Sequence, residues 1–416
     1  MSPGGEAVGR ADGLVCFVRY GLPGEMVEAA ITQRRRTWAR GAAVEIMRAS
    51  PVRVAPPCPH FGVCGGCEWQ HVAYEAQVSF KTDIVRRQLT QIGKLPNPQV
   101  RPCIPCPQAY GYRNHTQVAV AADGAIGYRE AGSQRVTPVR ACPILDPSVE
   151  QLLRDLIQAR VDPPTGLREI HLRAGVTTGE RMMVFEMDDD RIEEAARHLA
   201  GLSAPPGASV VVSGSREDSR VIAGNPRLHE RIGNFRYAYS ATSFFQVNTV
   251  MAGRLVAETM EALALSGGEN VLELYCGAGL FTAPISERAG YVLGIESSQR
   301  AVNDALDNLQ GRANVNVIAA DVRAGLLDPQ VRQRSWQRVV LDPPRAGVDA
   351  GALSRIAATG AERLVYVSCD PATLARDAGR LRSYGYTLRY AQPLDLFPQT
   401  HHVETVAVFD RLTGRL

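Results

Sequence analysis

Two residues in the last fifty of the sequence have the types and settings that covalent chemistry needs. Cys369 closes an apolar run, Leu364-Val-Tyr-Val-Ser-Cys369, and is followed at once by Asp370-Pro371, a pattern that ends a strand and opens a helix. A thiol at a strand end is presented to a ligand, and as a thiolate it adds to electron-poor carbon. Glu404, in His401-His-Val-Glu404, heads the last apolar run, and a carboxylate among apolar neighbours is suited to accept a proton. Taken singly, a buried structural cysteine and a surface acid are the ordinary readings. Together they describe a nucleophile that adds to a substrate and a base that later removes a proton so that the nucleophile can leave. His401 and His402 are read as packing or turn residues.

A second constellation points to binding. Val271-Leu-Glu-Leu-Tyr-Cys-Gly277-Ala-Gly-Leu-Phe-Thr282 runs an apolar strand into a glycine turn that opens a helix, so backbone can approach a ligand closely around Gly277. Gly294-Ile-Glu296 ends the next strand with an acid able to accept hydrogen bonds from ribose hydroxyls. The turn lacks a full Gly-x-Gly-x-x-Gly, which favours a nucleoside such as S-adenosylmethionine over a dinucleotide. Asp321 and Asp342, after the third and fourth strands, are expected in the same crevice. Asp321 reads equally well as a helix cap or an adenine contact. Asp342 is held by the stiff turn Asp342-Pro-Pro-Arg345, and Cys276 is taken as a small residue that fits the glycine turn.

Cys58-x5-Cys64-x2-Cys67 sets three thiols in a glycine-rich turn, and Cys142 in Arg140-Ala-Cys-Pro143 is the best candidate for a fourth. Spacing alone leaves zinc and an iron–sulfur cluster both open. The Cys103/Cys106 pair lies among prolines and is expected in an ordinary surface loop.

The elements that must position these groups fall into three parts. Residues 1–55 read as short glycine-broken strands, a small β-barrel pattern, and prolines 51, 56 and 57 mark a linker. Residues 56–240 are mixed, with a helix expected over Tyr74 to Ile92 and strands at Thr116 to Val120 and Met182 to Met187. Residues 241–416 alternate apolar strands, at 270–274, 291–295, 314–318, 338–341 and 363–367, with helix-length segments, the pattern of a doubly wound parallel sheet. The whole chain carries +3, and residues 1–55 hold eight arginines against five carboxylates, so the excess lies in the first part and is compatible with an acidic partner. No apolar run approaches the roughly 20 residues of a membrane helix, and no secretory signal is visible at the start, so a cytoplasmic location is expected.

Six motifs, in order, resemble the RNA uracil-5-methyltransferase family, and in particular its iron–sulfur branch acting on 23S rRNA. They are the cysteine set, Phe244-Phe-Gln246-Val-Asn248, Leu274-Tyr-Cys-Gly277, Asp342-Pro-Pro-Arg345, Ser368-Cys369-Asp-Pro371 and His402-Val-Glu404. The resemblance spans essentially the whole chain. It implies a Rossmann-like class I methyltransferase domain (241–416), an N-terminal OB-like TRAM barrel for RNA (1–55) and a central iron–sulfur domain (56–240). It implies a [4Fe-4S] cluster on Cys58, Cys64, Cys67 and Cys142, with S-adenosylmethionine contacts at Gln246, Tyr275, Glu296 and Asp342. Cys369 corresponds to the family's nucleophile, Glu404 to its proton acceptor and Arg113, in Gly111-Tyr-Arg-Asn114, to a substrate RNA contact. Transfer RNA enzymes of the family commonly lack both barrel and cluster, so the resemblance favours 23S ribosomal RNA. There a uridine of the 1939 type is the commonest target, and position 747 or both remain open. No obligate protein partner is called for. Leu280 stands where some relatives have asparagine. A cytosine-5 enzyme would carry a second cysteine where this chain has Arg345, and a cluster-bearing RNA-binding protein without catalysis would have no use for Cys369 and Glu404 together.

Overall fold

The computed structural model describes residues 1–121, 123–159, 161–200, 205–214 and 218–412. Strands β1 (Ala7–Ala11), β2 (Leu14–Arg19), β3 (Met26–Arg34) and β4 (Trp38–Arg48) pair in the order β1-β2-β4-β3, with β2 and β4 parallel. No pairing joins β1 to β3, so this ladder is an open sheet where a closed barrel was expected. Four strands are too few to close around a packed interior, and three register shifts along β3 and β4 bend the ladder instead.

Helix α1 (Tyr74–Gln91) follows, in agreement with the apolar spacing of its sequence. It buries Gln77, Lys81, Ile84, Val85, Gln88 and Leu89, residues three and four apart on one face. A second sheet has the order β11-β10-β9-β8-β5-β6-β7. Its strands are β5 (His115–Val120), β6 (Ile126–Arg129), β7 (Val136–Pro138), β8 (Leu167–Gly175), β9 (Glu180–Met187), β10 (Ala208–Ser213) and β11 (Ser219–Ala223). Helices α2 (Pro147–Ala159) and α3 (Ile192–Leu199) cover it around Leu152, Leu153, Ile170 and Phe185. A hairpin, β12 (Arg227–Ile232) with β13 (Phe235–Ser240), leads to the third sheet.

The third sheet alternates α4 (Thr249–Leu263), β14 (Asn270–Leu274), α5 (Thr282–Ser286), β15 (Tyr291–Glu296), α6 (Gln299–Asn308), β16 (Val315–Ala319), α7 (Val322–Gly325), α8 (Pro329–Arg332), β17 (Arg338–Leu341), α9 (Ala350–Ala358), β18 (Arg363–Ser368) and α10 (Pro371–Ser383). It ends with β19 (Tyr386–Leu394) and β20 (Glu404–Arg411). The order is β16-β15-β14-β17-β18-β20-β19, parallel from β16 to β18, with β20 antiparallel to both neighbours. Strand order reverses between β14 and β17, so a crevice opens at the carboxyl ends of these strands. Strands β14, β17 and β18 are almost wholly buried, as a sheet covered on both faces requires. Helix α1 precedes the middle sheet in the chain yet packs against α10, and its Val85 and Leu89 join the core beneath the third sheet. Among the described residues no helix is long and apolar enough to cross a membrane.

Candidate active site

Strand β18 delivers Cys369 to the crevice, and the next residues fix it there. Asp370 caps α10, its carboxylate accepting from the backbone N–H groups of Ala372 (2.9 Å) and Thr373 (2.8 Å), and Pro371 begins the helix. The β18–β20 register sets Ser368 opposite Thr405, so Cys369 and Glu404 extend adjoining strands at neighbouring positions. Glu404 is buried, and its Oε1 has no hydrogen-bond partner.

The chemistry of this corner is dominated by crowded acids. Burial, with Glu404 and Asp342 adding to it and Arg345 opposing, pushes the Cys369 thiol up to about 12. Burial and the charge of Asp342 drive Glu404 well above the usual carboxylate range, against Arg345, and burial lifts Asp342 to about 7. The start of α10 would favour a thiolate, but the net direction is upward, so desolvation and like charge win. The resting site therefore holds a thiol beside protonatable carboxyls, and Arg345, exposed in the Asp342-Pro-Pro-Arg345 turn, supplies positive charge to Cys369 and Glu404.

The glycine turn is built as its sequence suggests. Gly277 has φ +54°, and a side chain added there would meet open space, so a ligand can lie against the backbone. Tyr275 adopts a left-handed φ of +63° that aims the chain over the end of β14. The Glu296 carboxylate is held by backbone N–H groups, Oε2 by Gly277 (3.1 Å) and Oε1 by Ser297 (2.7 Å) and Ser298 (2.8 Å). Oε2 keeps a lone pair for a ribose hydroxyl. Cys276 is buried, and a Cβ on Gly294 would stand 2.9 Å from its sulfur, which explains the glycine in Gly294-Ile-Glu296. Asp321 caps α7 through Arg323 N–H (2.9 Å) and is exposed, with its charge reaching Tyr275. Gln246 is buried, and its carbonyl is tied to Asn114 Nδ2 at 3.0 Å.

Sequence reasoning missed three things here. Glu273, inside β14, is fully buried without a well-formed hydrogen bond, and burial lifts it to about 8. Phe244 is 74% exposed, while Phe245 is buried and stacked on Tyr239. The Phe-Phe dipeptide was a visible signal for neither role. Cys103 and Cys106 are buried, not on a surface loop, because bridges from Val100 to Ala391 and Ile104 to Leu394 lay their segment along β19.

Away from the crevice, Cys58, Cys64, Cys67 and Cys142 line one cavity of about 180 Å³. Arg113 lines the same cavity, its Nε donating to His115 O at 2.8 Å. Gly66 N–H donates to Cys64 Sγ at 3.4 Å. Burial raises the Cys64 thiol, and brings Cys67 to about 12 and Cys142 to about 11. Among the described residues no three His, Cys, Asp or Glu side chains gather closely enough to hold a single metal ion.

A sheet with one antiparallel strand, a glycine turn after its central strand and an acid ending the next define a class I S-adenosylmethionine-dependent methyltransferase fold. Residues 182–412 match the family described as tRNA (Uracil-5-)-methyltransferase, and residues 1–44 match the TRAM domain. The 23S rRNA (uracil(1939)-C(5))-methyltransferase of Alkalilimnicola ehrlichii is 35% identical over 99% of this chain and 95% of its own. Its counterpart in Methylococcus capsulatus is 35% identical over 98% and 94%. The structure of Pyrococcus abyssi tRNA (uracil-54, C5)-methyltransferase with S-adenosyl-L-homocysteine is 27% identical, covers 97% of both chains and superposes with a TM-score of 0.73. The chain belongs to the RNA uracil-5-methyltransferase family and is an S-adenosylmethionine-dependent enzyme. The last comparison also removes an expectation: a transfer RNA enzyme aligns along nearly the whole chain, so the N-terminal sheet does not by itself indicate ribosomal RNA.

Proposed function

We propose that the protein methylates carbon 5 of a uridine in 23S ribosomal RNA, at a position of the 1939 type, with Cys369 as nucleophile and Glu404 as proton acceptor. The observation that carries the mechanism is the adjacency of Cys369 and Glu404 at the ends of β18 and β20, above a crevice containing Asp342. Uracil C5 is a poor nucleophile. The Cys369 thiol gives its proton to solvent water, its sulfur adds to C6 to form an S–C6 bond and moves the ring π electrons into an enolate, and C5 then bonds to the methyl group as the methyl–sulfonium bond breaks and S-adenosylhomocysteine leaves. S-adenosylmethionine is a substrate that supplies an electrophilic methyl group, and its own positive charge relieves the crowded acids. Glu404 then takes the C5 proton, the electron pair restores the C5–C6 double bond, and the C6–S bond breaks to return the thiolate.

Glu296, Gly277, Tyr275, Asp342 and Gln246 would hold the methyl donor, and Asp321 its adenine edge. A target base must leave its stack to reach Cys369, and the exposed ring of Phe244 suits stacking on unpaired RNA, with Arg113 further along the substrate path. The four cysteines would hold a [4Fe-4S] cluster, a reading supported by their lining one cavity and by the Gly66 N–H that faces the Cys64 sulfur. There the cluster would supply four thiolate bonds joining the 58–67 turn to the Cys142 loop, with no open iron. Work on ribosomal RNA belongs in the cytoplasm.

The ribosomal substrate is supported by relatives at 35% identity over nearly the full length, and the transfer RNA reading by the solved neighbour. Labelled methyl transfer to unmodified 23S rRNA fragments and to tRNA, with the nucleoside identified by mass spectrometry, separates them. 5-Methyluridine in a 23S fragment is the expected product. Label only in tRNA would replace the substrate, and methylcytidine would replace the reaction.

A further inference from the structure

Glu404 begins β20, so its position is inherited from the residues that enter that strand, 395–403. These residues belong to no helix or strand, yet all but the half-buried Phe397, His401 and His402 are buried, and they are held from several sides. Helix α1 supplies the largest share, through Tyr74, Gln77 and Lys81, spaced three and four apart on one face. Lys81 Nζ lies 2.5 Å from Asp395 Oδ1 and donates to Phe397 O at 3.0 Å, and Tyr74 Oη donates to Asp395 Oδ2 at 2.9 Å. The Gln77 carboxamide grips Gln399 twice: its Nε2 donates to Gln399 Oε1 (3.0 Å), and its Oε1 accepts from the Gln399 backbone N–H (2.9 Å).

Gln399 has φ +69°, a left-handed conformation uncommon for glutamine, and its carbonyl accepts from the N–H groups of both Glu68 (3.1 Å) and Trp69 (2.9 Å). Those two residues directly follow Cys67. Helix α1 and the cysteine turn therefore converge on one strained residue, five positions before Glu404. Simple stability does not explain the design. The Lys81 and Asp395 side chains are both 0% exposed, and a buried ion pair is commonly no more stabilising than apolar residues of the same size. What such a pair does impose is a single geometry.

We infer that Gln77, Lys81 and Gln399 are positioning residues for the proton-removal step: they clamp the segment that leads into β20, so that Glu404, and not Cys369, depends on them. Cys369 takes its place from β18 and the Asp370 cap, which meet the clamp through the β18–β20 pairing and the packing of α1 on α10 but accept none of the clamp's hydrogen bonds named above. The cysteine turn acts on the reaction through the same contact at Gln399. This inference rests on the reading of Glu404 as proton acceptor.

The test separates addition from elimination. Two variants are made in the full-length enzyme: Gln399→Gly, which keeps the backbone conformation and removes the side-chain arm, and Lys81→Met with Asp395→Leu, which leaves no buried charge unpaired. With unmodified 23S rRNA fragments and S-adenosylmethionine, the rate of covalent protein–RNA adduct formation is read on denaturing gels beside turnover. Turnover is expected to fall roughly ten- to a hundredfold while adduct formation stays within about threefold, so that adduct accumulates. Adduct formation and turnover falling in proportion in both variants, or neither changing, would overturn the inference. A Glu404→Gln enzyme run alongside must also accumulate adduct. If it turns over freely, Glu404 is not the acceptor, and the clamp loses its purpose with it.

Discussion

The crevice and the cysteine cavity both collect buried acidic groups, but they are assembled in different ways. In the crevice each group stands at the end of a strand in one hydrogen-bonded sheet: Glu296 as the last residue of β15, Asp342 after β17, Cys369 after β18, Glu404 at the start of β20. The cavity's cysteines come from a turn and a loop, Cys58 to Cys67 and Cys142, with short-range contacts such as Cys64 N–H to His60 O (2.9 Å) and links to the end of β6, Gly65 N–H to Arg129 O (3.0 Å) and Ala131 N–H to Val63 O (3.0 Å). A site made of strand ends keeps its geometry whether or not it is filled. A site made of turns owes more of its order to an occupant.

The sharpest way to break this comparison is at the nucleophile. Cys369→Ala is expected to lower methyl transfer by at least about 10⁴-fold while leaving S-adenosylmethionine affinity unchanged by calorimetry, because only the reacting atom is lost. A variant that stayed active would take the mechanism away from the crevice. Next comes Glu404→Gln, expected to slow turnover roughly 10²- to 10⁴-fold and to trap a covalent adduct that survives a denaturing gel. Replacing Cys67 by serine tests the other region. Thermal melting should drop by several degrees, with loss of any visible iron–sulfur absorption, while methyl-donor affinity stays within about twofold. Equal damage to both would mean that the two regions are one unit.

The smallest effect concerns Glu273. In the fold it holds its proton to about pH 8, against a usual 4.5. Its contribution to stability is therefore complete below about pH 4 and drains away as the pH rises through 8, by at most about 5 kcal/mol. Glu273→Gln should flatten the fall of melting temperature across that window, and an unchanged slope would remove Glu273 as its source.

The parts of the molecule legible in the sequence are those where one local pattern decides the outcome. Strands 270–274 and 338–341 are short, mainly apolar runs between turn signals, and the helix at Tyr74–Gln91 is a long segment free of glycine and proline. Cys369 could be found because Asp-Pro marks the helix start behind it. What stayed hidden depends on contacts distant in sequence. Gln77 and Gln399, 322 positions apart, give no local sign of partnership, and the insertion of β20 between β18 and β19 follows from pairing that no single window contains. The prolines around Cys103 suggested exposure, but pairing with β19 overrode them. The N-terminal strands were visible, whereas the closure of their sheet depends on strand number and bending.

The ring of acids around Cys369 also protects it. Peroxide and alkylating agents attack thiolate far faster than thiol, and with its proton held up to about pH 12 the half-buried Cys369 has almost no thiolate at neutral pH. On the proposed mechanism, the idle enzyme meets oxidants and stray electrophiles without losing its nucleophile. Its sensitivity to such reagents becomes a readout of when the crevice is loaded.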